Sequence, residues 1–210
     1  ADLQVEQDSV ELTLPRLQLD QWDNGLRIRA SDVPLEPINS IISSQEAVPE
    51  ALREVLIALR PRGLLPSLQV RIGDMEHPTV DWQVEANFAA LAVESFHGAP
   101  GISSATGYTN ITPGSGLVVL DSQLLTLDFP AIYREPLNFE DLYGTLHLEW
   151  DDDTFRLGSG LLTTQAEEGT AKVLFGLNIP LIPTDTGIEM DLLVGLQNSH
   201  PIHRGKYIPY

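Results

Sequence analysis

Five histidines, a run of three aspartates, two serines flanked by glycine and three tryptophans are the residues of this chain with the chemistry to form a site. His200 and His203 stand at i, i+3 in a proline-bearing tail, whereas His77, His97 and His147 are far apart in sequence. Such a pair is a weak metal signature, and no cysteine is present to complete a zinc set. Asp151-Asp152-Asp153 could attract calcium, but the glycine and the distal glutamate of a calcium loop are missing; a solvated hairpin tip is the simpler reading. Gly114-Ser115-Gly116 lacks the lysine and the following helix of a phosphate loop. Ser159, between Gly158 and Gly160, lacks the spacing of a nucleophile elbow. Asn110-Ile111-Thr112 has the form of a glycosylation acceptor, a triplet that also arises by chance. Trp22, Trp82 and Trp150 each fall on the apolar side of a strand pattern, where core packing competes with sugar stacking. Carboxylates are too numerous for any pair to mark a glycosidase dyad. No catalytic set, metal centre or cofactor site is expected from these residues.

Composition narrows the classes further. The chain has 210 residues, 30 acidic against 12 basic, and a formal net charge of −18. Nucleic acid is excluded as a partner on this balance, because no basic surface is available to displace counterions. Charge-driven docking on an anionic membrane is disfavoured for the same reason. Without cysteine there are no disulfides or thiol nucleophiles, which suits the cytoplasm or a bacterial periplasm. No run of 18 apolar residues occurs, so no spanning helix is expected.

The elements that must position any site are strands. Ala171, Val173, Phe175, Leu177 and Ile179 alternate with polar or small residues, as do Ile188, Met190, Leu192, Val194 and Leu196. Period two marks a strand with one face out of water. The same alternation appears at Leu3 and Val5, at Val10 to Leu14 before Pro15, and at Leu17 and Leu19. Asn24-Gly25 is the strongest hairpin signal, since both residues tolerate positive φ. Leu68 to Ile72 and Val80 to Phe88 continue the series. A weakly patterned Ile102–Tyr108 comes next, then Leu117–Asp121 and Leu125–Phe129 as two short pieces. An irregular connection over Pro130–Asp141 leads to Leu146–Trp150, Phe155 with Leu157, and Leu161–Gln165.

Only residues 34–60 change period. Leu35, Ile38, Ile41 and Ile42, then Leu52, Val55, Leu56 and Leu59, are spaced for two short helices opened by Pro34 and Pro49. The expected fold is mainly β: a large curled antiparallel sheet, as a groove or an open barrel or sandwich, with a short helical pair at one end. One β-rich module over 1–210 is expected, with a helical insertion at about 34–60. It reads as a fragment of a longer protein.

One region carries a family pattern. Pro100-Gly101-Ile102, Gly107, the strand Gly116–Asp121, Asp128-Phe129-Pro130-Ala131-Ile132-Tyr133-Arg134-Glu135-Pro136-Leu137 and Leu142-Tyr143-Gly144-Thr145-Leu146 through Trp150 resemble the central part of YhdP-type proteins. These belong to the AsmA-like group of bacterial envelope proteins. Lys206-Tyr207-Ile208-Pro209 is similar to a Lys-Tyr-Leu-Pro ending there, with isoleucine replacing leucine. Residues 35–68 resemble the helical part that precedes a strand in that family.

The resemblance implies a periplasmic portion of an inner-membrane-anchored protein in a Gram-negative envelope. It also implies a hydrophobic groove that conducts phospholipids between the inner and outer membranes and supports outer-membrane homeostasis. The groove lining expected on this basis is Leu125, Leu127, Leu146, Leu148, Trp150, Val173, Phe175, Leu177, Ile188, Met190, Leu192 and Val194. Its partners would be phospholipid acyl chains and neighbouring segments of the full-length protein. Membrane contact would come only through parts missing from this chain. The competing expectation is a non-catalytic structural or adaptor module that binds another envelope protein; a carbohydrate-active enzyme stands third.

Overall fold

The computed structural model describes residues 3–7, 10–14, 16–37, 57–95, 100–130, 133–166, 169–182, 187 and 189–198. Thirteen strands account for most of them: β1 (Leu3–Gln7), β2 (Val10–Leu14), β3 (Arg16–Trp22), β4 (Gly25–Pro34), β5 (Arg62–Ile72), β6 (Trp82–Val93), β7 (Gly101–Thr112), β8 (Ser115–Asp128), β9 (Leu137–Trp150), β10 (Thr154–Ser159), β11 (Leu162–Ala166), β12 (Gly169–Pro180) and β13 (Glu189–Gln197). Among the described residues β1 and β2 pair only with each other, Leu3 opposite Leu14. The other eleven form one antiparallel sheet, as the alternation requires. β10 and β11 both lie between β9 and β12 and follow each other along one lane, interrupted at Gly160 and Leu161. Eleven strands therefore occupy ten lanes. Counted this way, the sheet is a plain meander from β3 at one edge to β13 at the other.

Residues 35–37 and 57–59 are helical, at the end where β4 leaves and β5 enters the sheet. The rest of the expected helical pair lies outside the described residues. The β3–β4 hairpin forms where Asn24-Gly25 marks it, but its two-residue loop is Asp23-Asn24, and Trp22 pairs with Gly25. Gly25 serves close approach instead of the turn: a Cβ there would lie 2.3 Å from the Trp22 indole. Sequence patterning splits β8 into two pieces and leaves β7 weak, yet both are long continuous strands.

The reason is a line of bulges. Asp32 in β4, Ala90 in β6, Ser104 in β7 and Leu124 in β8 all have positive φ, as does Gly63 in β5. Register shifts at β5–β6, β6–β7 and β7–β8 fall beside these residues. Where the register shifts, the pairing falls out of step and the apolar phase slips by one: Ala86 and Phe88 give way to Leu91, and Leu120 and Ser122 to Leu125. Between β4 and β5 the register runs unbroken past Asp32. Bulges also bend the strands that carry them. Five neighbouring strands are thus interrupted along one line across the sheet. The tightest core lies along it, with Phe88, Ala105, Leu120 and Leu125 each no more than 7% exposed. Val33, just after Asp32, is equally sealed.

Where bulges break the backbone ladder, side-chain hydroxyls replace it. Ser122 Oγ accepts from Thr106 N at 2.9 Å and donates to the Thr106 carbonyl at 3.0 Å. Thr106 Oγ1 in turn accepts from Ala90 N at 3.4 Å. Ser122 is fully buried, so Ser122→Ala removes the side-chain partner of both the Thr106 N–H and the Thr106 carbonyl. The expected loss is about 1–3 kcal/mol in denaturant unfolding. A variant as stable as the parent would show that the ladder does not need this hydroxyl.

Candidate functional site

Strand register converts the separate alternations into continuous rows. One row crosses all ten lanes: Leu19, Ile28, Val70, Val84, Ile111, Gly116, Leu148, Leu157, Leu177 and Met190 are successive cross-strand partners. Every position is aliphatic or thioether except Gly116. At 4.7–4.9 Å per strand, the row is about 43 Å long. A parallel row runs beside it through Leu17, Ala30, Leu68, Ala86, Thr109, Val118, Leu146 and Ser159. Phe175 and Leu192 complete it, Phe175 N donating to Ser159 Oγ. Side chains of the first row are half-buried through the middle lanes, and Leu19 and Met190 at the two edges are 60% and 50% exposed.

Four hydroxyl side chains interrupt this apolar face, and all are engaged within the protein. Thr109 Oγ1 donates to the Leu117 carbonyl at 3.1 Å, and Ser159 Oγ accepts from Phe175 N at 2.8 Å. Ser122 is bonded as described, and Thr164 Oγ1 donates to the Asp141 carbonyl at 2.9 Å. Each of these hydroxyls therefore has at least one hydrogen bond to the backbone of its own sheet. A segment of protein laid here would lose hydrogen bonds for its backbone, whereas hydrocarbon would not.

The opposite face is polar, and several of its side chains pair with one another. Arg29 donates to Asp20 at 2.9 Å and to Gln69 at 3.1 Å, and Gln69 donates to Glu85 at 2.7 Å. Tyr108 OH donates to Glu85 at 3.2 Å; desolvation first, then the Glu85 charge, hold this phenol above its usual range. Trp22 belongs to this face, not to the apolar one that its sequence position suggests, because it pairs with Gly25 and stacks on Arg27 at 5.6 Å. Trp150 lies opposite Phe155 and Trp82 opposite Ile72, in line with the apolar rows.

The expected lining residues divide by accessibility. Leu146, Leu148, Phe175, Leu177, Met190 and Leu192 fall in the two rows. Val173 and Val194 are paired one level further along. Leu125 is sealed at 1% exposure inside the bulge-line cluster, with Leu127 packed against it. Leu125 is thus core, closed to any ligand. Ile188 lies outside the described residues. The rows also include Ile28, Val70, Val84 and Ile111, which sequence reading did not assign to a lining. Pairing successive strands outward from their turns would have found them.

The remaining chemistry-bearing residues serve turns and ladders. Asp151 accepts from Asp153 N at 2.9 Å, Thr154 N at 2.8 Å and Thr154 Oγ1 at 3.0 Å. These bonds, all to Oδ1, lower its pKa and make Asp151 the cap of the β9–β10 turn. Asn110 stands within β7, not a loop, accepting from Gln83 at 3.0 Å. Gly114 makes the β7–β8 turn with φ 74°. One cluster escaped sequence reading: Asp74, Glu76 and His77 converge in the β5–β6 turn. The Asp74 carboxylate is engaged by His77 at 3.0 Å and by Glu76 N at 2.9 Å, which lowers its pKa. Asn24 also donates to it, and Met75 N donates to the Asn24 carbonyl, tying two neighbouring turns together. His97, His200 and His203 lie outside the described residues.

No helix among the described residues is long and apolar enough to cross a membrane. Comparison with curated proteins and with solved structures gives no match. A sequence model described as YhdP protein matches residues 1–210. The match takes in every strand that builds the apolar rows, and the chain belongs to the YhdP protein family.

Proposed function

We propose that this chain is a section of a hydrophobic groove that carries phospholipid acyl chains across the periplasm of a bacterial envelope, within a longer protein anchored in the inner membrane. The observation that carries the reading is the row from Leu19 to Met190, apolar across ten lanes and flanked by hydroxyls already engaged. Each CH₂ moved out of water onto such a face is stabilised by about 0.8 kcal/mol. Because an apolar side chain recurs on nine of the ten lanes, the gain is similar from one of those strands to the next. Family membership supports the same reading. The groove performs transfer by solvation alone, with no group that makes or breaks a bond.

Lipid extracted from the purified chain and identified by mass spectrometry tests it. Phe175→Asp and Leu192→Asp are expected to remove bound phospholipid while the strands persist by circular dichroism, since Leu192 is 51% exposed. A chain that neither retains nor exchanges phospholipid argues against the groove. Loss of the fold in both variants would instead make the face a core.

A second reading has its own observation. All nine residues of β13 are exposed, and among the described residues it pairs only with β12. Such an edge is a template for another strand. On this reading the module is an adaptor for a neighbouring segment or another envelope protein, and pull-down of a protein partner without lipid would favour it.

A further inference from the structure

Gly116 is the one break in the apolar row, and nothing in the fold requires glycine there. An ideal Cβ at Gly116 would lie 3.5 Å from Leu148 Cδ1 and 3.6 Å from Ile111 Cγ1, ordinary contact distances. Its φ lies outside the left-handed region. Gly107 and Gly144 are different: a Cβ there would meet neighbouring atoms at 2.0 Å and 2.5 Å. Glycine in a strand costs about 0.5–1 kcal/mol relative to alanine, so a site that could hold a side chain has given up stability. One use of such a glycine is to let a ligand approach the backbone closely.

We propose that Gly116 is a seat for a bound acyl chain, a notch in the sixth of ten lanes that sets how deeply hydrocarbon lies against the sheet. The inference rests on the groove reading. The notch is walled by Ile111 and Leu148, both apolar, so its occupant is hydrocarbon instead of a polar headgroup. A side chain at this position would narrow the track near its middle and leave both edges unchanged. Leu117, the next residue, lies on the opposite face.

The test uses the whole chain incubated with vesicles of phosphatidylethanolamine and phosphatidylglycerol, with bound lipid counted by mass spectrometry. Gly116→Leu should lower bound lipid by about tenfold or more, the change that about 1.4 kcal/mol of lost binding produces. Gly176→Leu is the matched control: no atom lies within 4 Å of its Cβ position, it faces the polar side, and its lipid content should equal the parent's. Parental lipid content in folded Gly116→Leu overturns the inference. If Gly116→Leu fails to fold, a photoreactive amino acid at Ile111, beside the glycine, compared with one at Ile28, four lanes from the glycine on the same row, decides with the glycine intact. Stronger crosslinking to lipid from Ile111 than from Ile28 supports the seat, and equal or weaker crosslinking from Ile111 overturns it. A parent chain without lipid would instead remove the groove reading itself.

Discussion

Gly107→Ala is expected to destabilise the chain by about 3 kcal/mol, the upper end of what overpacking costs. Gly107 lies between Phe88 of β6 and Leu120 of β8, beside the bulge line. A Cβ there would sit 2.0 Å from the Val119 carbonyl oxygen and 2.8 Å from the Phe88 ring. The ring could turn aside, but the oxygen belongs to the β7–β8 ladder and cannot move without breaking it. The measurement is the denaturant midpoint of Gly107→Ala beside that of Gly116→Ala. The second substitution meets only ordinary contacts and should be neutral or slightly stabilising. Equal midpoints for the two variants would mean that β7 and β8 do not approach this closely.

Leu125→Ala should cost about 2–5 kcal/mol, while Leu192→Ala should stay within about 0.5 kcal/mol. Both are leucines in alternating strands. Leu125 is 1% exposed, packed among Phe88, Ala105 and Leu120, and its loss leaves a cavity that the bent strands cannot close. Leu192 is 51% exposed on β13, so truncation there removes surface already in water. The two should also differ in lipid content. Leu192→Ala would weaken retention with stability intact, whereas Leu125→Ala would change retention only as the fold is lost. A large stability loss at Leu192 would show that the face near the β13 edge is packed shut and would leave the groove without an opening.

The contrast between these leucines shows where sequence reading stops. Alternation at Ala171–Ile179 and around Val80–Phe88 announces strands, because period two is a local property of the extended backbone. The hairpin at Trp22–Leu26 is equally legible, although which residue takes the loop position depended on the Trp22 indole covering Gly25. β8 was harder. Its apolar phase slips at Leu124, so a single strand reads as two. The slip itself was the signal, repeated at Asp32, Ala90 and Ser104, and it becomes a structural statement only when those residues align on neighbouring strands.

By itself, then, the sequence determined that this is a sheet of many antiparallel strands with one dry face and a polar, acidic counter-face. Its family pattern was legible in residues 100–150. The tertiary structure decided what becomes of the dry face. It placed the bulges along one line, closed Phe88, Ala105, Leu120 and Leu125 into a core there, and aligned Leu19 through Met190 as one row, half-buried in its middle lanes and exposed at its ends. The physical reason is that alternation specifies which way a side chain points, whereas what it meets depends on register and bending between strands far apart in sequence. The same reason separates Gly107, crowded by a neighbouring strand's carbonyl, from Gly116, where a Cβ would meet only ordinary contacts.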